Sequence, residues 1–128
     1  YKESDNMAKG NVLKDKKITI YKKVIGEGDM GDQIVAYQPI HRGKLWAYVR
    51  QLSAKEYFAA AAVQNKEEML FTVNWRADIT PQMYVEYKGV WYDIQRVDTF
   101  EGYKENLHLY ASQTLHPPGA SDIIPYGA

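Results

Sequence analysis

The stretch from Glu67 to Val97, EEMLFTVNWRADITPQMYVEYKGVWYDIQRV, admits few arrangements other than an antiparallel sheet. Met69, Phe71, Val73 and Trp75 alternate with Leu70, Thr72, Asn74 and Arg76, the period of two of a half-buried strand. Asp78, Thr80 and Pro81 interrupt it, because proline lacks the donor a ladder needs and biases the residue before it away from helix. Met83, Val85 and Tyr87 then share one face, and Tyr84 and Glu86 the other. Lys88-Gly89 reads as a two-residue turn, with glycine supplying the positive φ of a tight hairpin. Val90, Tyr92 and Ile94 return along the first face, which completes a three-stranded meander.

Strand patterns continue on both sides of it. Lys17–Val24 is a first strand with Ile18 and Ile20 inward, Ile34–Tyr37 has strand character, and Leu45–Leu52 alternates and pairs with the first strand. Asn106–Ser112 is the last, with Leu107, Leu109 and Ala111 inward and a turn before it at Phe100–Tyr103. Ser53-Ala-Lys-Glu56 is a capping box, and Leu52 with Tyr57 a hydrophobic staple, so a helix is expected over about Ala54–Gln64. The fold expected is therefore all-β, a small and mainly antiparallel barrel or sandwich with one inserted short helix. A long early loop, Ile25–Lys44, is the other irregularity. Residues 1–13 read as a flexible arm, 14–112 as the barrel domain, and 113–128 as an extended, Pro/Gly-punctuated tail.

A chain of 128 residues makes one domain with a core of its own, and with no cysteine it has neither disulfides nor thiolate metal sites. No apolar run approaches the ~20 residues of a membrane span and no signal-peptide pattern is visible, so a soluble protein made inside the cell is expected. Net charge is zero but uneven: residues 1–23 carry seven lysines against three acids, and the remainder nine basic residues against thirteen acids. Lysines 14, 16, 17, 22 and 23 suit a solvated, edge-protecting strand, and a neutral domain lacks the field that nucleic-acid binding uses.

Catalytic chemistry finds little support. His41, His108 and His116 stand in three separate segments without metal-ligand spacing, and Ser53 is a helix cap rather than a nucleophile. The Gly26–Asp32 stretch, GEGDMGD, lacks the lysine and following helix of a phosphate cradle and the spaced carboxylates of a calcium loop. No enzyme activity, cofactor or metal is expected. The eleven tyrosines and three tryptophans are more telling, since Trp46, Tyr48, Tyr84 and Trp91 lie on or beside the outward series. One small barrel cannot bury them all, and exposed aromatics in patches mark partner surfaces.

The ordered set of segments resembles one family. It comprises a basic first strand, a Gly/Asp loop, Trp46-Ala-Tyr-Val49, Leu52-Ser-Ala-Lys-Glu56-Tyr-Phe-Ala59, Phe71-Thr-Val-Asn-Trp-Arg76, Ile79-Thr-Pro-Gln-Met83, Tyr87-Lys-Gly-Val-Trp-Tyr-Asp-Ile94 and Leu107-His-Leu109. Over roughly residues 15–112 it is similar to the head–tail joining proteins of tailed bacteriophages, the small head-closure or stopper subunits of the neck. Two departures are the Lys66-Glu67-Glu68 run, where the family carries a Thr-His pair, and a longer tail beyond Ser112.

The resemblance implies a homo-oligomeric ring, commonly a dodecamer, built in the host cytoplasm into the virion neck, away from any membrane. The portal or adaptor ring would lie above it, tail terminator or tail proteins below, and double-stranded DNA would pass through it without sequence reading. It also implies that the early loop, here Gly26, Glu27, Gly28, Asp29, Met30, Gly31 and Asp32, gates the channel. Trp46, Tyr48, Tyr57, Phe58, Ala61 and Trp91 are the candidate subunit or partner contacts. Two alternatives are a tail-terminator or tail-completion ring, and a small oligonucleotide-binding barrel stacking bases on Trp46, Tyr48, Trp91 and Tyr92.

Overall fold

The computed structural model describes residues 13–28, 30–31, 33–52, 68–99 and 104–127. The strands are β1 (Lys16–Glu27), β2 (Gln33–Pro39), β3 (Leu45–Gln51), β4 (Met69–Asn74), β5 (Tyr84–Tyr87), β6 (Val90–Asp98) and β7 (Asn106–Gln113). Six of them follow the order β1-β3-β4-β7-β6-β5 and close when β5 pairs back onto β1, Thr19–Tyr21 against Glu86–Tyr84. The result is a small antiparallel barrel, with β2 outside the closed ring on the far part of β1.

The inward residues are those the alternation marks. Ile18, Ile20, Phe71, Val73, Val85, Ile94, Leu107, Leu109 and Ala111 form the buried core, with Met69, Met83, Tyr87 and Tyr92 packed against it. Phe71 sits at the centre, its ring 5.2 Å from that of Tyr92 and 6.0 Å from that of Tyr87, both edge-on. Lys88 and Gly89 turn β5 into β6 with φ of 53° and 81°, the two positive values of a type I′ turn, and Glu86 accepts the Gly89 amide at 2.7 Å. On β6 the register slips between Ile94 and Arg96. That bulge lets Ile94 and Val97 both reach the core side while Arg96 lies outside with its guanidinium 3.8 Å from the Tyr110 ring.

The span expected as one long loop, Ile25–Lys44, is mostly strand: β1 runs on to Glu27 and β2 returns antiparallel to it from Gln33. Its glycines and charges mask the pattern because neither face of this ribbon is fully buried, so alternation is not required there. The capping-box helix over Ala54–Gln64, the turn at Phe100–Tyr103 and the arm as far as Val12 lie outside the described residues.

His41, unconstrained in the sequence, is a structural residue. It is 4 % exposed and its Nε2 accepts the Ile20 amide at 3.0 Å, while the Ile40 amide donates to the Ile20 carbonyl at 3.0 Å. The imidazole thus stands in for a strand where β1 passes from β3 to β2. Accepting through Nε2 requires a neutral ring. Burial pushes the His41 pKa below its ordinary value; the backbone of Arg42 and Gly43 opposes the shift and the Arg76 charge adds to it. Neither backbone group closes a hydrogen bond on Nδ1, which has no partner among the described residues. On the outer face of β7, His108 shares a 3.0 Å hydrogen bond with the Thr72 hydroxyl and is likewise lowered by burial.

With both histidines lowered on folding, the unfolded chain binds protons first as pH falls, so stability declines from about pH 6.5 downward. Urea unfolding at stepped pH should show that decline, and His41→Gln, which keeps an acceptor but cannot titrate, should flatten it. At pH 7.5, His41→Leu should cost about 1–3 kcal/mol, because it strands the buried Ile20 amide.

Candidate assembly surface

Pairing of β1 with β5 ends at Tyr21, whereas pairing of β1 with β2 continues from Lys22↔Gln38 to Glu27↔Gln33. Six rungs therefore stand clear of the barrel, a projection of about 20 Å at strand rise. The ribbon turns at its tip through a 3.1 Å bond from the Gly31 amide to the Gly28 carbonyl, with Gly31 at φ +80°, where a side chain would be strained. Gly26 and Glu27 are exposed at the end of β1, Gly28 is half-buried, and Met30 is 87 % exposed; Asp29 and Asp32 lie outside the described residues. Ile25 and Ile34 are 59 % and 54 % exposed. They occupy neighbouring rungs, Ile25 opposite Val35 and Ile34 opposite Gly26, and so lie on opposite faces. Apolar side chains on both faces of a two-stranded ribbon are unfavourable in water unless something covers them.

The base of the ribbon is anchored by aromatics. Tyr21 lies 4.4 Å from Trp91, Tyr37 lies 6.0 Å from Trp91, and Tyr37 meets Tyr84 edge-on at 5.3 Å. Trp91 points outward from β6 as its position implies, yet it is only 8 % exposed because the ribbon folds Tyr37 against it. Burial, with Glu86 beside Tyr21 and with Tyr37 and Asp93 beside Tyr84, pushes both phenols above their usual range. They remain protonated and serve as packing.

The tail is pinned rather than free. Thr114 donates its amide to Trp91 at 2.9 Å, and a parallel bridge joins Ile123 to Tyr37. Ile124 donates to the Tyr37 carbonyl at 2.9 Å, the Gln38 amide nitrogen to the Pro125 carbonyl at 3.1 Å, and the Arg42 guanidinium lies 5.9 Å from the Tyr126 ring. A cleft of about 500 Å³ remains between the ribbon base and the tail, lined by Lys22, Gln38, Ile40, Asp78, Met83 and Tyr126. Asp78 is held by a two-pronged pair with Arg76 at 2.8 and 2.9 Å, which keeps its carboxyl below the usual range.

Trp46 is 55 % exposed on β3 with the Lys17 ammonium 4.8 Å over its ring, and Tyr48 is half-buried two places on. Tyr57, Phe58 and Ala61 lie outside the described residues. The structure therefore brings Trp91 into the chain's own packing, leaves Trp46 outward, and separates both from the ribbon tip. Among the described residues there is no cluster of three or more potential metal ligands, and no helix long and apolar enough to cross a membrane. Ile25 and Ile34 were absent from the candidate contacts; the signal for them is the isolated apolar residue on each side of the Gly/Asp run.

The model of the phage head completion protein family matches residues 14–114. A solved solution structure of a protein from Shigella flexneri 2a has the same fold, with a TM-score of 0.66 and 18 % identity over 80 % of this chain and 94 % of that one. No curated protein matches the sequence.

The two tryptophans should separate in a stability assay. Trp91→Ala removes the ring that Tyr21 and Tyr37 pack on and should cost about 3–5 kcal/mol in urea unfolding. Trp46→Ala, at an exposed site, should stay within about 0.5 kcal/mol.

Proposed function

The chain belongs to the phage head completion protein family, structural components of the virion rather than enzymes, and from that premise we propose that its copies form a ring that closes the DNA-filled head. The observation that carries the reading is the projecting β1–β2 ribbon, with Ile25, Met30 and Ile34 exposed at and near its tip. In this reading the ribbon points into the channel and gates DNA exit. The carboxylates of Glu27, Asp29 and Asp32, repeated around the ring, repel passing phosphates and keep the gate from binding the DNA it must release. The barrel body supplies the ring wall, one end docking on the portal or adaptor and the other on the tail. The expected helix around Tyr57, Phe58 and Ala61, and the exposed Trp46 with Tyr48, are its proposed contacts with neighbouring rings.

The oligonucleotide-binding alternative loses its platform. Trp91 is buried in the aromatic cluster and Tyr92 faces inward onto Phe71, which leaves Trp46 and Tyr48 alone on the outside. The family match favours head closure over a tail terminator.

Replacing Gly26–Ile34 by Asn-Gly should close the hairpin one rung lower, at Ile25↔Val35, as a type I′ turn. The shortened subunit should fold with an unchanged barrel. Phage carrying it should package DNA and then lose it, read as empty heads with free genome. Full heads and normal infectivity would refute the gate.

A further inference from the structure

The backbone of the ribbon carries information beyond its side chains. Ile20 turns both its amide and its carbonyl toward the β2–β3 side, bonding His41 and Ile40. Residues two apart in a strand address the same edge, so Lys22, Val24 and Gly26 face β2, while Lys23, Ile25 and Glu27 face away. On β2, Tyr37 presents its carbonyl outward to Ile124, so Val35 and Gln33 also face outward. Coverage of the two outer edges stops near the ribbon base: β5 ends at Tyr21↔Tyr84, and the tail bridges β2 at Tyr37. Beyond those points neither edge has a partner strand among the described residues, and Lys23, Ile25, Glu27 and Gln33 are exposed.

We propose that these two edges are each other's partners between copies, the Lys23–Glu27 edge of β1 hydrogen-bonding antiparallel to the Gln33–Val35 edge of β2 in the next copy. The proposal rests on the ring reading and names the contact that joins the ring. Three features favour a second copy over a foreign strand. The two edges are of similar length and leave the barrel at the same level. They run in opposite directions, so ribbons related by rotation about a ring axis bring β2 of one beside β1 of the next in antiparallel sense. The contact is heterologous and repeats around the ring, as closure requires. It also stacks the Ile25 and Ile34 faces of adjacent ribbons into continuous apolar bands, which covers side chains that a lone ribbon leaves in water.

The chain has no cysteine, so engineered thiols report unambiguously. Ile25 and Val35 are ladder partners within one chain, and the substitutions must therefore be carried by separate chains. Ile25→Cys mixed with Val35→Cys or Gln33→Cys, oxidised in assembled rings, should give mixed cross-links. Cross-linking confined to Ile25→Cys with itself would mean a two-fold contact and overturn the proposal. Val35→Pro removes an outward donor without touching the β1–β2 ladder. It should leave the unfolding midpoint near that of the parent while raising the concentration needed for ring formation about tenfold or more. Rings that form normally in Val35→Pro and give no mixed cross-link would refute edge pairing and leave the ring reading standing. A chain that stays monomeric up to its solubility limit, alone and with heads, would remove both.

Discussion

Between Ile18, paired with Leu45, and Tyr21, paired with Pro39, one edge of β1 changes partner from β3 to β2. The change has to be made without stranding a polar group inside the protein, where an unmet amide costs about 1–3 kcal/mol. The chain solves it with five residues, Ile40–Lys44, that swing out of the ladder and return one imidazole to it. His41 meets the Ile20 amide and Ile40 meets its carbonyl, so β1 runs unbroken from the barrel floor to the ribbon. The opposite edge of the same three residues is where β5 closes the barrel. Closure and projection thus depend on one short piece of backbone, and a fault there would release both.

The ribbon is tied down in a graded way. At its base, Tyr21, Tyr37 and Trp91 bury large aromatic surfaces against one another, and the tail adds backbone bonds to Tyr37. Burying a ring of this size contributes on the order of several kcal/mol, well above what any surface ion pair here can add. The Lys44–Glu86 pair at 3.6 Å, with Lys44 half exposed, illustrates the weaker kind. Toward the tip these anchors disappear and the ladder alone remains. A two-stranded ribbon in water is marginal on its own, so the tip is the part of the described fold most easily reshaped by a partner.

Sequence periodicity revealed what the core demands and little else. The inward sets on β4, β5, β6 and β7 were legible because a one-residue slip would turn each of them out to solvent. Lys88-Gly89 was legible because a tight hairpin narrows its residues so sharply. The ribbon was not, since strands without a buried face need no alternation, and Lys22-Lys23 beside GEGDMGD suggests solvent on every side. Trp91 was correctly placed outward, but its burial depends on Tyr37, more than fifty positions earlier, folding over it. The bulge at Gln95 and the role of His41 are likewise long-range effects, created by neighbours that no local window contains. Of the candidate contacts, Trp46 and Met30 lie where a partner reaches them, because nothing nearer in the fold competes for their surface.

A head-closure subunit faces two requirements that pull against each other. Its wall must withstand the packaged genome, whereas its gate must open without unfolding the wall. A closed barrel meets the first requirement, since closure leaves it no free edge except where β1 continues past Tyr21. The ribbon fits the second requirement because its stability falls with distance from the aromatic anchor, so a change at the tip need not reach Ile20. The neutral balance of charge also suits a channel that carries a polyanion past itself, where a strongly basic lining would bind it. What sets such a gate is the difference between two modest quantities. One is the edge bonding and apolar cover gained when ribbons meet, and the other is the strain of holding them there. Both are local to Lys22–Gln38, which is why the remainder of the chain can be an ordinary barrel.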